Sequence, residues 1–398
     1  MYLTQSNNVR NLKHDEYFVL QELCKYANNL YNVALYNIRQ YYFQEKKFLR
    51  YEENYKLCKS NENYKMLQAG VSQQILKVVD RSFKSFFNLI KSAKKGEYRF
   101  HDIKIPHYKE KGDLFNLILS TNAITIKDGY LKIPLSYAFR EKYGNREIKI
   151  PTKITENIKE IRILPKNKGK YFSIQYCYEI EKEEKELNKD NTLAIDIGLE
   201  NLATCVTNTG TSFIIDGRKI KSINQYWNMR MGYYQTINDK QKNNHVTERI
   251  FKLTNKRNNR VNDYIKKSAR YIVNYCINNN IGTIVCGYNP SLKRNSKMGH
   301  INNRQFTQIS FGELRNQLSN LCERYGMNYM EQEESYTSTA SFLDLDDIPV
   351  YNPNNEIEYQ FSGRRVQRGL YKSKNGRYLN ADINGACNIL RKSKQNFG

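Results

Sequence analysis

The chain has 398 residues, with 64 Lys and Arg against 40 Asp and Glu and a formal net charge of +24. No apolar run approaches the roughly 20 residues a spanning helix needs, and the opening MYLTQSNNVRNLKHD lacks the apolar centre of a signal peptide. A membrane-spanning protein is therefore not expected. The composition predicts a soluble, cytoplasmic chain whose excess charge suits a polyanion, because cations that neutralise phosphates release condensed counterions.

Residues 14 to 45 carry apolar side chains at helical spacing (Phe18, Leu20, Leu23, Ala27, Leu30, Val33, Ala34, Ile38), and so do residues 68 to 95 (Ile75, Val78, Val79, Phe83, Phe86). Both stretches predict long helices. From about 104 to 180 the texture changes to short runs such as LFNLIL, AITI, YLKIPLS, IKEIRILP and KYFSIQYCYEI, which predict strands of a small antiparallel barrel or sandwich. EKEEKELNKDN, 181 to 191, reads as a solvated boundary. LAIDIGL then predicts a buried strand, and LATCVTNTGTSFIID a hairpin. A basic helical stretch spans 219 to 280, a strand GTIVCGY follows, and a helix is expected over about 304 to 325. GMNYMEQE predicts another strand, a polar insertion fills 337 to 379, and NADINGACNILRK closes the chain as a helix. This order is that of an RNase H-like α/β domain.

Eight cysteines and five histidines are dispersed, with no C-x-x-C pair, so neither a disulfide framework nor ordinary zinc-ligand spacing is visible. Tyrosine is abundant, at 32 residues, and often sits beside lysine. That pairing suits stacking on unpaired bases, although biased composition alone gives the same pattern.

The acids are more specific. Asp196 interrupts the apolar run LAIDIG, where an unpaired carboxylate is costly unless it is bonded or holds a metal. Gly198, two residues on, leaves room for a phosphate or a second strand. Asp382 lies at the start of the last helix, where capping competes with a catalytic role. Two-metal phosphodiester hydrolysis needs several carboxylates from separate elements, and hard oxygen donors suit Mg²⁺. EQEESYTSTAS, 331 to 341, offers more acids. Strand alternation puts Glu331 and Glu333 on one face and Glu334 on the other, without choosing between them.

LAIDIGLENLATCVTNTG, ESYTSTASFLD and RRVQRGLYKSKNGRYLNADINGACNIL together resemble, in order and spacing, the motifs of the TnpB family, transposon-encoded RNA-guided nucleases related to Fanzor proteins and type V CRISPR effectors. The motifs cover roughly 192 to 392. The resemblance implies a RuvC-type, RNase H-like nuclease domain over 189–398, with 337–379 as an insertion that binds target nucleic acid. It also implies a β-barrel wedge domain from 1–12 and 100–188 and a helical recognition domain over 13–99. Two departures stand out. Gly287 falls where many members carry the second catalytic acid, and Glu334, in an E-x-Y-T-S pattern, matches members with a relocated glutamate. The insertion lacks the four cysteines of the family's zinc ribbon, so no zinc is expected.

By this resemblance Asp196, Glu334 and Asp382 are the catalytic acids and hold Mg²⁺, with Mn²⁺ as a substitute. The expected partners are a guide RNA and double-stranded target DNA, in a monomeric ribonucleoprotein of the bacterial cytoplasm or nucleoid. Lys252, Lys256, Arg257, Arg260, Lys266, Lys267, Arg364, Arg365, Arg368 and Asn384 are the expected nucleic-acid contacts. A nuclease-dead RNA-guided repressor and a compact type V effector are the alternatives.

Overall fold

The computed structural model describes residues 1–9, 11–154, 157–243, 245–289, 307–351 and 359–395. The chain divides into two compact units, Met1–Glu181 and Lys182–Gly398.

In the first unit, helix α1 (His14–Glu45) buries Leu20, Leu23, Ala27, Leu30, Ala34 and Ile38 along one stripe. Two short helices follow, α2 (Tyr51–Cys58) and α3 (Glu62–Lys65). They lead to α4 (Ala69–Lys94), which sets Ile75, Val79 and Phe83 into the same core. The sheet joins distant segments. Strand β1 (Tyr2–Asn8) pairs antiparallel with the strand Tyr171–Glu179, so the chain's beginning closes against the unit's end.

The intervening strands are β2 (Leu117–Ser120), β3 (Thr125–Lys127), β4 (Tyr130–Lys132), β5 (Lys149–Pro151), β6 (Ile158–Lys166) and β7 (Tyr171–Glu179). They form an open four-stranded sheet, β1-β7-β6-β2, and a separate three-stranded sheet, β3-β4-β5. No closed barrel is present among the described residues. A helix, α5 (Tyr137–Tyr143), lies where the sequence suggested only strand and turn; Ser136 caps it by accepting from Phe139 N–H at 3.1 Å.

The second unit is a three-layer α/β domain of RNase H type. Strands β8 (Thr192–Asp196), β9 (Asn201–Thr207) and β10 (Ser212–Asp216) form an antiparallel meander. Then β11 (Thr283–Tyr288) adds parallel to β8, and β12 (Asn328–Glu333) parallel to β11, giving the order β10-β9-β8-β11-β12. The basic stretch expected over 219–280 is two helices, α6 (Arg218–Lys240) and α7 (Glu248–Asn278). The break falls in polar residues after Lys240, and the Thr247 hydroxyl starts α7 by accepting from Ile250 N–H.

Helix α8 (Phe311–Tyr325) stops at Gly326, whose φ of +70° is the left-handed conformation usual after a helix end. The last helix, α9 (Ala381–Gln395), packs on the opposite face of the sheet from α7 and α8. Strand pleating decides which residue meets which layer. Leu193 and Ile195 go to the α7–α8 core, while Ala194 meets Ile389 of α9. Within the insertion, β13 (Arg364–Gln367), β14 (Leu370–Lys372) and β15 (Tyr378–Asn380) form a small antiparallel meander that leads into α9. No helix among the described residues is long and apolar enough to cross a membrane.

Candidate active site

Asp196 ends β8, two residues beyond Ala194, and so points to the α9 face. The carboxyl ends of β8, β11 and β12 lie together, with Ile195 paired to Cys286 and Tyr288 to Glu333, where open α/β sheets place their sites. Gly385 on α9 permits the approach: a Cβ there would lie 2.7 Å from Asp196 Oδ2. Gly198 makes room for a second strand, β9, which is one of the two uses expected of it. Its open side is filled by the backbone carbonyl of Asn201, 2.9 Å from where a Cβ would sit.

Glu334 follows β12 and turns inward. Its Oε2 lies 2.8 Å from where a Cβ of Gly287 would be, and Ile389 Cδ1 lies 2.7 Å from the same point. The bare backbone at 287 is therefore the space that the Glu334 carboxylate occupies. The three acids of the strand end have three fates. Glu331 pairs with Arg315 at 3.1 Å, Glu333 with Lys392 at 2.5 Å, and Glu334 faces the site.

Asp382 is not the cap of α9. The Asn380 side chain accepts from the N–H groups of Asp382 (2.9 Å) and Ile383 (3.1 Å), which leaves the Asp382 carboxylate to project from the first turn. Asn201 Nδ2 donates to one of its oxygens at 2.7 Å and Arg365 Nη2 to the other at 3.3 Å.

The electrostatics couple these acids. Loss of solvent, then the fields of Glu334 and Asp382, push the Asp196 carboxyl up to about 8, with Arg365 opposing. Burial and the neighbouring Glu333 push Glu334 up to about 7. Across β9, Thr204 faces Asp196, and its buried hydroxyl has no hydrogen-bond partner. Uncompensated carboxylates beside an orphaned hydroxyl, all hard oxygen donors, fit a hydrated divalent cation. As they stand, no three His, Cys, Asp or Glu side chains among the described residues converge closely enough to hold one. Asp382 is instead engaged by Asn201 and Arg365.

The loop carrying Glu334 is fixed by a ladder on α9. Asn384, Asn388 and Lys392 recur every four residues, so they share one face, and all three are buried. Asn384 Nδ2 donates to the Ala340 carbonyl at 2.8 Å, and its Oδ1 accepts from Phe342 N–H at 3.0 Å. Asn388 Nδ2 reaches the carbonyls of Thr337 (2.9 Å) and Ala340 (2.7 Å). Lys392 Nζ donates to Glu333 and to the carbonyls of Ser335 (3.2 Å) and Pro349 (3.1 Å), so it grips the chain on both sides of Glu334. Asn384, expected to contact nucleic acid, is instead an internal clamp with no exposed surface. The Asn–x₃–Asn–x₃–Lys spacing in the last helix carried that signal.

The expected basic contacts divide. Lys252, Lys256, Arg260, Lys266 and Lys267 are exposed on α7, with Lys252 paired to Glu248 and Lys267 to Asp263. Arg257 is committed inside the unit, donating to Asn224 Oδ1 (2.7 Å) and to the Gln308 carbonyl (2.6 Å), so it is a structural residue. Arg364, Arg365 and Arg368 are exposed on or just after β13. Arg368 pairs with Glu200 at 2.7 Å, and with Arg365 it lines a cavity of about 510 Å³ that includes Asn201 and Asp382. All eight cysteines are free thiols, seven of them buried.

Two family models match segments of the chain. Residues 175–292 match the family model of a probable transposase, OrfB_IS605, and residues 311–389 match the Cas12f1-like TNB domain. The chain is 23% identical over 421 residues to the TnpB-like protein ORF457 of Acidianus two-tailed virus, covering 94% of this chain and 83% of that protein. Its fold is shared with the protein of a Cas12f1–sgRNA–target DNA complex, at a TM-score of 0.62 and 15% identity over 95% of this chain and 83% of that one. It is shared also with the mini-RNA-guided endonuclease CRISPR-Cas_phi3, at a TM-score of 0.53 and 11% identity over 99% and 92%.

Proposed function

We propose that this chain, a relative of the TnpB family and through it of the type V effectors, is a divalent-metal-dependent, RNA-guided DNA endonuclease. The observation that carries this reading is that Asp196, Glu334 and Asp382, from β8, the end of β12 and α9, lie near enough for the other two to add to burial in raising the Asp196 carboxyl, while the three do not converge on one point as they stand. Asp196, Glu334 and Asp382 would hold Mg²⁺ or Mn²⁺. When bound, the metal offsets charge on the phosphodiester and activates water as a nucleophile. Residues of the chain do the rest. Gly385 and Gly287 leave the space that the Asp196 and Glu334 carboxylates occupy, and the α9 ladder fixes the Glu334 loop. Arg365 and Arg368 offer guanidinium groups to a phosphate beside Asp382, in place of their carboxylate partners.

The remaining roles are part of the same proposal. Residues 1–12 and 100–188 serve as the wedge, 13–99 as the recognition helices, 189–398 as the nuclease and 337–379 as its target-binding insertion. A guide RNA pairs with one strand of duplex DNA, a short adjacent motif is read by the protein, and the exposed cations of α7 hold the hybrid's backbone. The ribonucleoprotein is taken as monomeric, acting in the cytoplasm or nucleoid without zinc.

The test begins with RNA that co-purifies with the full chain. It is sequenced, and its variable end is reprogrammed against a plasmid library with randomised flanks. Cleavage only of matched plasmids, lost in Asp196→Asn, is expected. Cutting that ignores the guide would replace this reading with a guide-independent nuclease. Matched binding without any cutting by the unaltered chain would make it a repressor.

A further inference from the structure

The hairpin of α6 and α7 carries 13 basic and 3 acidic residues. Between the two helices lies a cavity of about 230 Å³, lined by Ile223, Tyr226, Trp227, Leu253, Lys256 and Arg260 together with Arg257. Its composition is unusual for so basic a surface. The floor is apolar, with Ile223 buried, while Tyr226 stands 53% exposed.

Trp227, the single tryptophan of the chain, is held in place. Its indole N–H donates to Thr254 Oγ1 at 3.2 Å, and the Arg257 guanidinium lies 5.5 Å from its ring centre, itself anchored to Asn224 and Gln308. Lys256 and Arg260, at the rim, pair with no acid among the described residues. A solvated helix face does not require a fixed indole, an exposed tyrosine and unpaired cations around an apolar hollow.

We infer that this cavity is a binding site for one unpaired nucleotide. The base enters the space lined by Trp227, Tyr226 and Leu253, and the flanking phosphates lie against Lys256 and Arg260. The volume falls below the roughly 300–1,000 Å³ typical of a whole drug-sized ligand, which suits a single planar ring system. Base–aromatic stacking and neighbouring cations together are the chemistry of single-strand recognition. A base-paired duplex offers no free base and is excluded. The site takes nucleic acid as the partner, as the nuclease reading does, but it is independent of cleavage.

Because Trp227 is the only tryptophan, its emission reports the cavity directly. The full chain, freed of co-purified RNA in high salt, is titrated with short oligouridylate, oligothymidylate, an abasic strand of equal length and a duplex. Base-bearing strands should quench the emission. The abasic strand should bind through its phosphates without quenching, and the duplex should leave the emission unchanged.

Tyr226→Ala, at an exposed position, should weaken base-bearing strands on the order of tenfold and leave abasic binding as it was. Lys256→Gln with Arg260→Gln should weaken both and lower the salt dependence. Quenching by only one of the two oligomers assigns the nucleotide to the RNA or the DNA strand, and quenching by both means the base is held without reading the sugar. Equal quenching by the abasic strand, or binding with unchanged emission, overturns the inference. Cleavage is not read, so failure here and failure of the nuclease reading are told apart.

Discussion

The two faces of the five-stranded sheet are built on different physics. Towards α7 and α8, Leu193, Ile195, Ile284 and Cys286 meet Ile265, Ile272, Leu314 and Leu318 in a continuous apolar core. Towards α9 the apolar contacts shrink to small groups such as Ala194, Val285 and Ile389. There the buried side chains include Thr204, Asn384, Asn388 and Lys392. Apolar burial is non-directional, so the first face can supply stability but cannot aim a carboxylate. The second face gives up apolar area for directed bonds, and that is where Glu334 must be aimed.

The largest expected break in that contrast is catalytic. Asp196→Asn or Glu334→Ala should lower single-turnover cleavage about a thousandfold or more, roughly 4 kcal/mol of barrier, while guided DNA binding in a filter assay persists. Full cleavage by both variants would remove these acids from the site.

Next comes the asymmetry of the Glu333–Lys392 pair. Lys392 is 3% exposed but the Glu333 side chain 35%. Burial would raise the Glu333 carboxyl, yet bonds from Lys392 and Ser335 outweigh it and hold the group below its ordinary range. Glu333→Ala strands a buried ammonium and should cost about 3–5 kcal/mol. Lys392→Met leaves a carboxylate that water still reaches, at about 1–3 kcal/mol. Urea melts distinguish the two, and equal losses would contradict the asymmetry. Assayed below its melting transition, Glu333→Ala should still cleave, whereas Glu334→Ala should not at any temperature.

On the other face, Leu318→Ala should cost about 2–5 kcal/mol of stability through the cavity it leaves. Its cleavage rate per folded molecule should stay at the wild-type value. A loss of rate with stability intact would mean that the α7–α8 core also positions the acids.

A further effect is a pH trend in metal-free protein. An acid whose folded pKa is raised binds more protons folded than unfolded, so stability falls as pH rises between the two values. For Asp196, with a folded value of about 8 against an ordinary 3.8, the window runs from about pH 4 to about 8. Melting temperature should decline across it, and the decline should lessen in Asp196→Asn. A decline of the same size in that variant would show that Asp196 is not its source.

Long periodic segments were legible in the sequence because period alone decides them: α1, α4, the end of α8 and the strands β8 to β12 fall close to where the apolar pattern puts them. The break between α6 and α7 was not, because polar residues continue helical charge spacing across it. Asp196 announced itself as a charge inside an apolar strand. Glu334 did so only through the E-x-Y-T-S resemblance and not through strand period, since what separates it from Glu331 and Glu333 is partners distant in the chain, at Arg315 and Lys392. Asn384 was misassigned for a related reason: an amide can clamp backbone or bind a base, and only the fold shows which carbonyls it meets.

The space at Gly287 bears on how the Glu334 carboxylate is seated. A Cβ there would lie 2.8 Å from Glu334 Oε2 and 2.7 Å from Ile389 Cδ1, so a side chain at 287 would have to push both tips aside. The glycine works like a keyway, a piece left out so that the neighbouring part has one place to slot in.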